Sequence, residues 1–265
     1  MHVAFHFESP GDFKRRFLSD SIAISIVTPM DNQLPNDAAP LSQLPESHME
    51  SIRILESAYL RHRDPIKQSG FSGGADRWRT ERFPLLDAVD GDGDFIDLGC
   101  ANGHLLQSVL GWASERGIDL TPYGIDLNPR LLQETMKRFP DKPDHFWVAN
   151  AWGWLPPKRF RWVYAIWDLV PIEYLPHLAR HLLQHAVKRN GALILGAYGS
   201  KSEDWPSIAI ADVLREGGVP VSGVSQGGEL PRGGPVTRFA WVRRSDWQPV
   251  EQHLPSPCDC CEQVK

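Results

Sequence analysis

The sequence predicts an α/β protein built on a mostly parallel sheet, and three observations predict it. Residues 95–103, Phe-Ile-Asp-Leu-Gly-Cys-Ala-Asn-Gly, run from an apolar strand through an acid into a turn bracketed by glycines. A second β-type stretch, Thr121 to Leu127, again closes on an acid, Asp126. From Phe95 to Trp247 the chain then alternates strand-like runs with helical periods, which demands parallel strands joined by helices.

The elements follow in order. Met49 begins the first clearly patterned helix, and the helical pattern of Glu50 to Leu86 is interrupted by Ser69-Gly70-Phe71-Ser72-Gly73-Gly74. Such a loop serves as a hinge, and the Arg77-Trp78-Arg79 helix beyond it either faces a ligand as part of a lid or packs on the sheet. Phe95 to Leu98 forms the first core strand; Gly99 and Gly103, lacking Cβ, let the backbone turn and approach a bound molecule. His104 to Arg116 carries Leu105, Leu106, Val109, Leu110 and Ala113 at helical spacing, with Gly117 placed as its C-terminal cap.

Pro129 is suited to open the next helix after Asp126. His145 to Ala151 and Trp162 to Trp167 read as the third and fourth strands, and Ala192 to Ala197 as a buried fifth. Ser207 to Glu216 reads as a helix, Val219 to Val224 and Val236 to Arg243 as strands, and Gln226 to Pro235 as a glycine-rich connector between them.

An acid-ended strand followed by a glycine turn fits two ligand classes. The dinucleotide fingerprint is GxGxxG, but here Ala101 and His104 occupy the second and third glycine positions. A pyrophosphate is also repelled by a carboxylate at Asp97, whereas a ligand carrying an ammonium group is attracted.

Asp97-Leu98-Gly99-Cys100-Ala101-Asn102-Gly103 resembles the first motif of the class I S-adenosylmethionine-dependent methyltransferases: an acid, any residue, glycine, and a short turn closing on glycine. The resemblance covers roughly Glu50 to Trp247 and implies S-adenosylmethionine as cofactor. It implies that Gly99, Cys100, Ala101 and Gly103 wrap the methionine part, with Asp97 contacting it directly or through water. Asp126 matches the acid that takes both ribose hydroxyls, with Leu127 beside it; a carboxylate suits a vicinal diol because it accepts two hydrogen bonds. Asn150 and Ala151 match the place beside the adenine, where Asn150 would bond the exocyclic amine.

The late strand pair matches the family's antiparallel ending, so the expected fold is a seven-stranded, mostly parallel sheet with helices on both faces, a Rossmann-like methyltransferase fold with an antiparallel last strand. The expected reaction is methyl transfer to a small-molecule acceptor by in-line attack, which needs mainly alignment. Asp168, Glu173, Tyr174, His177 and Tyr198 lie near the expected strand ends; Asp168, directly after the fourth strand, is alone offered as catalytic, against the alternative that an acid there caps the following helix. Two alternatives stay open: a protein that binds the cofactor without transferring the methyl, and a nicotinamide-dependent oxidoreductase.

Composition narrows the partners. A net charge of −5 and a pI near 6.1 argue against nucleic acid, which requires a basic footprint. Ile166-Trp167-Asp168-Leu169-Val170-Pro171 stands where amino-methylating nucleic-acid enzymes carry Asn/Asp-Pro-Pro-Tyr/Phe, and Lys158, Arg159 and Arg161 read as a solvated turn. No stretch reaches the ~20 apolar residues of a membrane span, and the N-terminus lacks a signal pattern, so a cytoplasmic protein is expected.

Ten tryptophans are mostly core candidates, with Trp152, Trp154 and Trp167 placed to touch a ligand. His177, His181 and His185 share a helix face and are expected to meet solvent rather than metal. Residues 1–48 are expected to be a flexible extension, 49–250 one domain with a helical lid over 49–86, and 251–265 a flexible tail. In that tail, Cys258-Asp259-Cys260-Cys261 fits no common zinc spacing even with His253, so no metal is expected.

Overall fold

The computed structural model describes residues 43–249. The segment before residue 43 and the Cys258 to Cys261 tail lie outside them. Helix α1, Glu46–Tyr59, opens before the expected Met49, and Leu44 and His48 are already buried. The short helix α2, Pro65–Gln68, starts on Asp64, whose side chain accepts the Lys67 N–H. Helix α3, Ala75–Arg82, continues into a 3-10 turn, Phe83–Ala88.

Strand β1, Gly93–Leu98, is followed by α4, His104–Glu115; β2, Leu120–Asp126, by α5, Pro129–Arg138. Gly117 caps α4 as expected: its φ is 72°, and the Ile118 N–H returns to the Ala113 carbonyl at 3.0 Å. Pro129 does open α5, and Asn128 caps it by accepting the Arg130 N–H at 2.9 Å. Next come β3, Phe146–Val148; β4, Phe160–Ile166; α6, Leu175–His185; β5, Val187–Tyr198; and α7, Ile210–Glu216. The hairpin of β6, Gly223–Glu229, and β7, Pro235–Arg243, completes the sheet.

The seven strands lie in the order β3-β2-β1-β4-β5-β7-β6. The first five are parallel, and β7 runs antiparallel to both β5 and β6. The expected fold is present. Side-chain alternation divides two apolar layers: Ile96, Leu98, Val163 and Leu195 pack under α6 and α7, while Phe95, Tyr164 and Ile194 pack on the opposite face with Trp78 of α3 and Leu106 of α4. Strand order reverses between β1 and β4, so a crevice opens at their carboxyl ends.

Three expectations needed correction. The sixth strand sits at Gly223–Glu229 rather than Val219 to Val224, which absorbs Gln226 to Glu229 of the supposed connector. Its glycines serve close approach: a Cβ on Gly227 would stand 2.7 Å from the Thr80 carbonyl oxygen at the end of α3. The third strand is shorter than 145–151 because the chain leaves the sheet after Val148, with the Ala149 N–H still bonded to the Asp126 carbonyl at 3.1 Å.

The third correction concerns α6, whose histidines do not all face solvent: His181 and His185 stay partly exposed. His177 is buried, His181 bonds the Trp154 carbonyl at 2.8 Å, and burial lowers the pKa of His185. The apolar stripe draws the helix against the sheet closely enough to bury His177 at its start. Among the described residues no group of three or more His, Cys, Asp or Glu is placed to hold a metal ion. No helix among them is long and apolar enough to cross a membrane.

Candidate functional site

The crevice deepens into a cavity of about 620 Å³ at the carboxyl ends of the strands. Asp97, Gly99, Cys100, Ala101, Asp126, Leu127, Asn150, Ala151 and Asp168 all line it. Gly103, the remaining residue singled out from the sequence, does not; it closes the loop behind the wall, where a Cβ would meet Thr135 Cγ2 at 2.9 Å.

The loop after β1 is fixed from both sides. Gly99 has φ 81°, and a Cβ there would lie 2.8 Å from Leu169 Cδ2, so the loop comes as close to the β4 side as a residue without a side chain permits. Ala101 also sits at positive φ, 47°, a strained position for a residue with a Cβ. It is held there by two bonds: its N–H donates to Asp126 Oδ2 at 2.8 Å, and its carbonyl accepts the Thr135 hydroxyl at 2.8 Å. Buried Asn102 ties the same loop to α2, donating to the Pro65 carbonyl at 2.9 Å and to Gln68 Oε1 at 3.0 Å.

The acids are unusual. Asp97 is 2% exposed, and burial, followed by the Asp126 charge, pushes its pKa up to about 8. Burial likewise lifts Asp126 to about 6, although the N–H groups of Asn128 and Ala101 pull it down. Both of its oxygens are engaged from the loop side, Oδ1 by Asn128 N–H at 2.8 Å and Oδ2 by Ala101 N–H at 2.8 Å, each with lone-pair capacity remaining. The Cys100 thiol is buried against Thr135 with its pKa well above normal, so it stays protonated and is no nucleophile.

The opposite wall comes from the N-terminal helices. Arg77 pairs with buried Glu81 at 2.5 Å, and Arg82 pairs with the same carboxylate at 3.1 Å. The Arg82 guanidinium lies over Phe71, Trp78 and Tyr198 at 4.3, 4.4 and 4.4 Å from the ring centres. Two cations sharing one acid leave this wall positive, facing the two acids of β1 and β2. Arg79 points elsewhere, to Glu115 on α4.

Sequence reasoning missed Glu56, Tyr59 and Tyr164 as cavity residues and Arg82 as its central cation. Helix periodicity does not reveal which flank of α1 and α3 turns inward. Conversely, Trp152, Trp154 and Trp167 are absent from the lining: Trp152 packs edge-on to Tyr174 and Trp154 stacks on Phe160, while Trp78 is the tryptophan at the cavity. Of the acid–base candidates, Asp168 and Tyr198 reach the cavity, whereas Glu173, Tyr174 and His177 do not line it. Lys158, Arg159 and Arg161 hold structure rather than a ligand, bonding the Tyr123 hydroxyl, the Val187 carbonyl and the Asp92 carbonyl respectively.

The strand order and the antiparallel last pair give the chain a Rossmann-like α/β fold. Among solved structures, several methyltransferases are similar to it. One similar structure is a chain from the complex of the Haloferax volcanii Trm112 methyltransferase activator with a methyltransferase, at 13% identity and TM-score 0.47 over 66% of this chain and 92% of that one. A TehB-like SAM-dependent methyltransferase from Corynebacterium glutamicum shares 16% identity at TM-score 0.44, over 72% of this chain and 97% of its own. An S-adenosylmethionine-dependent methyltransferase from Clostridium acetobutylicum shares 11% at TM-score 0.45, over 74% and 98%. At these identities, and with TM-scores below 0.5, no conclusion about this chain is drawn from the likenesses. No protein-family model and no curated protein matches the sequence.

Proposed function

We propose that the protein binds S-adenosylmethionine in this cavity and transfers its methyl group to a small-molecule acceptor. The observation that carries the reading is Asp97, a carboxylate buried in a ligand-sized cavity, its pKa pushed up to about 8 by burial and by the neighbouring Asp126 charge. A ligand bearing an ammonium or sulfonium charge removes that penalty, and a dinucleotide pyrophosphate increases it.

The residues present fit the cofactor part by part. Asp126, oriented by Ala101 and Asn128, would accept from the ribose hydroxyls. Leu127, Asn150 and Ala151 would flank the adenine, Gly99, Cys100, Ala101 and Asp97 the methionine part, and the Arg77 and Arg82 wall would take its carboxylate. When bound, the cofactor supplies an electrophilic methyl on sulfur. The chain's own residues would orient both reactants and exclude water, with residues 49–86 as the lid, tied to the loop through Asn102. Asp168 at the cavity edge remains the proposed contact to the acceptor side, and a cytoplasmic location belongs to the same proposal.

Isothermal titration with S-adenosylhomocysteine tests this reading. Saturable binding that is weakened about 100-fold in Asp126→Ala, with the fold intact, is the expected outcome; absence of saturable heat in folded wild-type protein refutes it.

A further inference from the structure

Asn128 links two carboxylates that line one cavity. Its backbone N–H donates to Asp126 Oδ1 at 2.8 Å, and its side-chain Nδ2 donates to Glu56 Oε2 at 3.1 Å. Its own Oδ1 is engaged by the N–H groups of Arg130 and Leu131 at the start of α5. Asp126 ends β2, whereas Glu56 comes from α1, so elements far apart in sequence deliver the two acids to the same lining. The charge of Glu56 is felt at Asp126, where it raises the pKa.

Glu56 belongs to the face of α1 that turns inward. Ile52, Leu55, Glu56 and Tyr59 recur at helical spacing and all line the cavity, so one carboxylate interrupts an otherwise apolar and aromatic flank. The side chain is half-buried, and that burial raises its pKa against the pull of Asn128 and Arg53. Arg53 itself bonds Glu46 and Glu50 at 2.8 and 3.1 Å, and among the described residues no ion pair reaches Glu56. Oε2 has its partner in Asn128, which leaves Oε1 as an acceptor on the cavity side.

We infer that Glu56 is a further cofactor-binding residue, which shares the ribose diol with Asp126 and closes α1 onto the bound cofactor. This rests on the reading of the cavity as an S-adenosylmethionine site. A vicinal diol has two O–H donors, so sharing assigns one to each acid rather than both to Asp126. Each oxygen of Asp126 already accepts a backbone N–H, which makes a second carboxylate the better partner for one hydroxyl. Accepting a hydroxyl completes Glu56 without a cation, whatever the charge on its neighbour. Two acids on this edge also repel a phosphate on the ribose, so the site selects a ribose with both hydroxyls unmodified. Because Glu56 sits on the lid and Asp126 on the sheet, the bond joins the two through the ligand.

The test is a binding cycle on the full chain, in which titration calorimetry compares S-adenosylhomocysteine with its 2′-deoxy and 3′-deoxy analogues. In the wild type, loss of either hydroxyl should weaken binding about tenfold or more. In Glu56→Ala, loss of one of the two should change affinity by less than about twofold, because its acceptor is already gone, while loss of the other costs what it does in the wild type. Should Glu56→Ala fail to melt cooperatively, Glu56→Gln carries the cycle, with discrimination against one deoxy analogue reduced. Wild-type discrimination against both analogues in a folded variant overturns the inference alone and leaves Glu56 as a tether to Asn128. Failure of the wild type to bind S-adenosylhomocysteine overturns the cofactor reading and this inference together.

Discussion

The carboxylate of Asp126, at the end of β2, accepts the backbone N–H of Ala101 in the loop after β1 at 2.8 Å. The acid proposed to meet the ribose is thus also the strut that holds Ala101 at φ 47°. Asp126→Ala should therefore weaken S-adenosylhomocysteine binding about 100-fold, corresponding to the loss of charge-assisted hydrogen bonds worth about 1.5–3 kcal/mol each. Asp126→Asn, which keeps one acceptor oxygen, should lose less. Titration calorimetry on both variants measures the difference, and affinities equal to that of the wild type would remove Asp126 from the site.

Asp97 links binding to pH. Its folded-state pKa, about 8, lies above the ordinary carboxylate value, so its contribution to stability is fully present below about pH 4 and is lost as pH rises toward 8. The ligand-free protein should accordingly melt at falling temperature between those values, and Asp97→Asn should flatten the dependence. A cationic ligand requires the ionised acid, so binding at pH 6.5 should release close to one proton from Asp97. Calorimetry in buffers of different ionisation enthalpy reads that release, which Asp97→Asn should abolish.

Gly99→Ala places a methyl 2.8 Å from Leu169 Cδ2 at a φ that disfavours side chains. It should destabilise the fold by about 2 kcal/mol and displace the loop. Urea denaturation gives the first quantity. Gly111→Ala, whose added Cβ meets nothing within 4 Å, provides the comparison and should not destabilise.

Arg82→Met removes the cation that Glu81, 2% exposed, shares with Arg77. Because a buried acid is left with one partner and three rings lose their central group, a loss of about 3 kcal/mol is expected in urea denaturation. Arg77→Met, on the more exposed partner, should cost less.

The fold and much of the cavity lining were legible because they are encoded locally. Asp97, Gly99 and Asp126 announce strand ends and a turn by adjacent residue types, and β4 and β5 by continuous apolar runs. The rest depends on distant approach. The glycines of β6 read as loop because the Thr80 carbonyl that excludes a side chain lies far away in sequence. The burial of His177 and the absence of Trp152, Trp154 and Trp167 from the cavity depend on which way elements rotate against the sheet. Arg82 became visible only once β5 brought Tyr198 under it.

The most direct measurement is a calorimetric titration of folded wild-type protein with S-adenosylhomocysteine. Saturable binding of one molecule per chain, with proton release at pH 6.5, is the expected result. A flat titration at millimolar ligand, in protein whose cooperative melting shows that it is folded, would contradict the reading of Asp97 and Asp126 as a cofactor site.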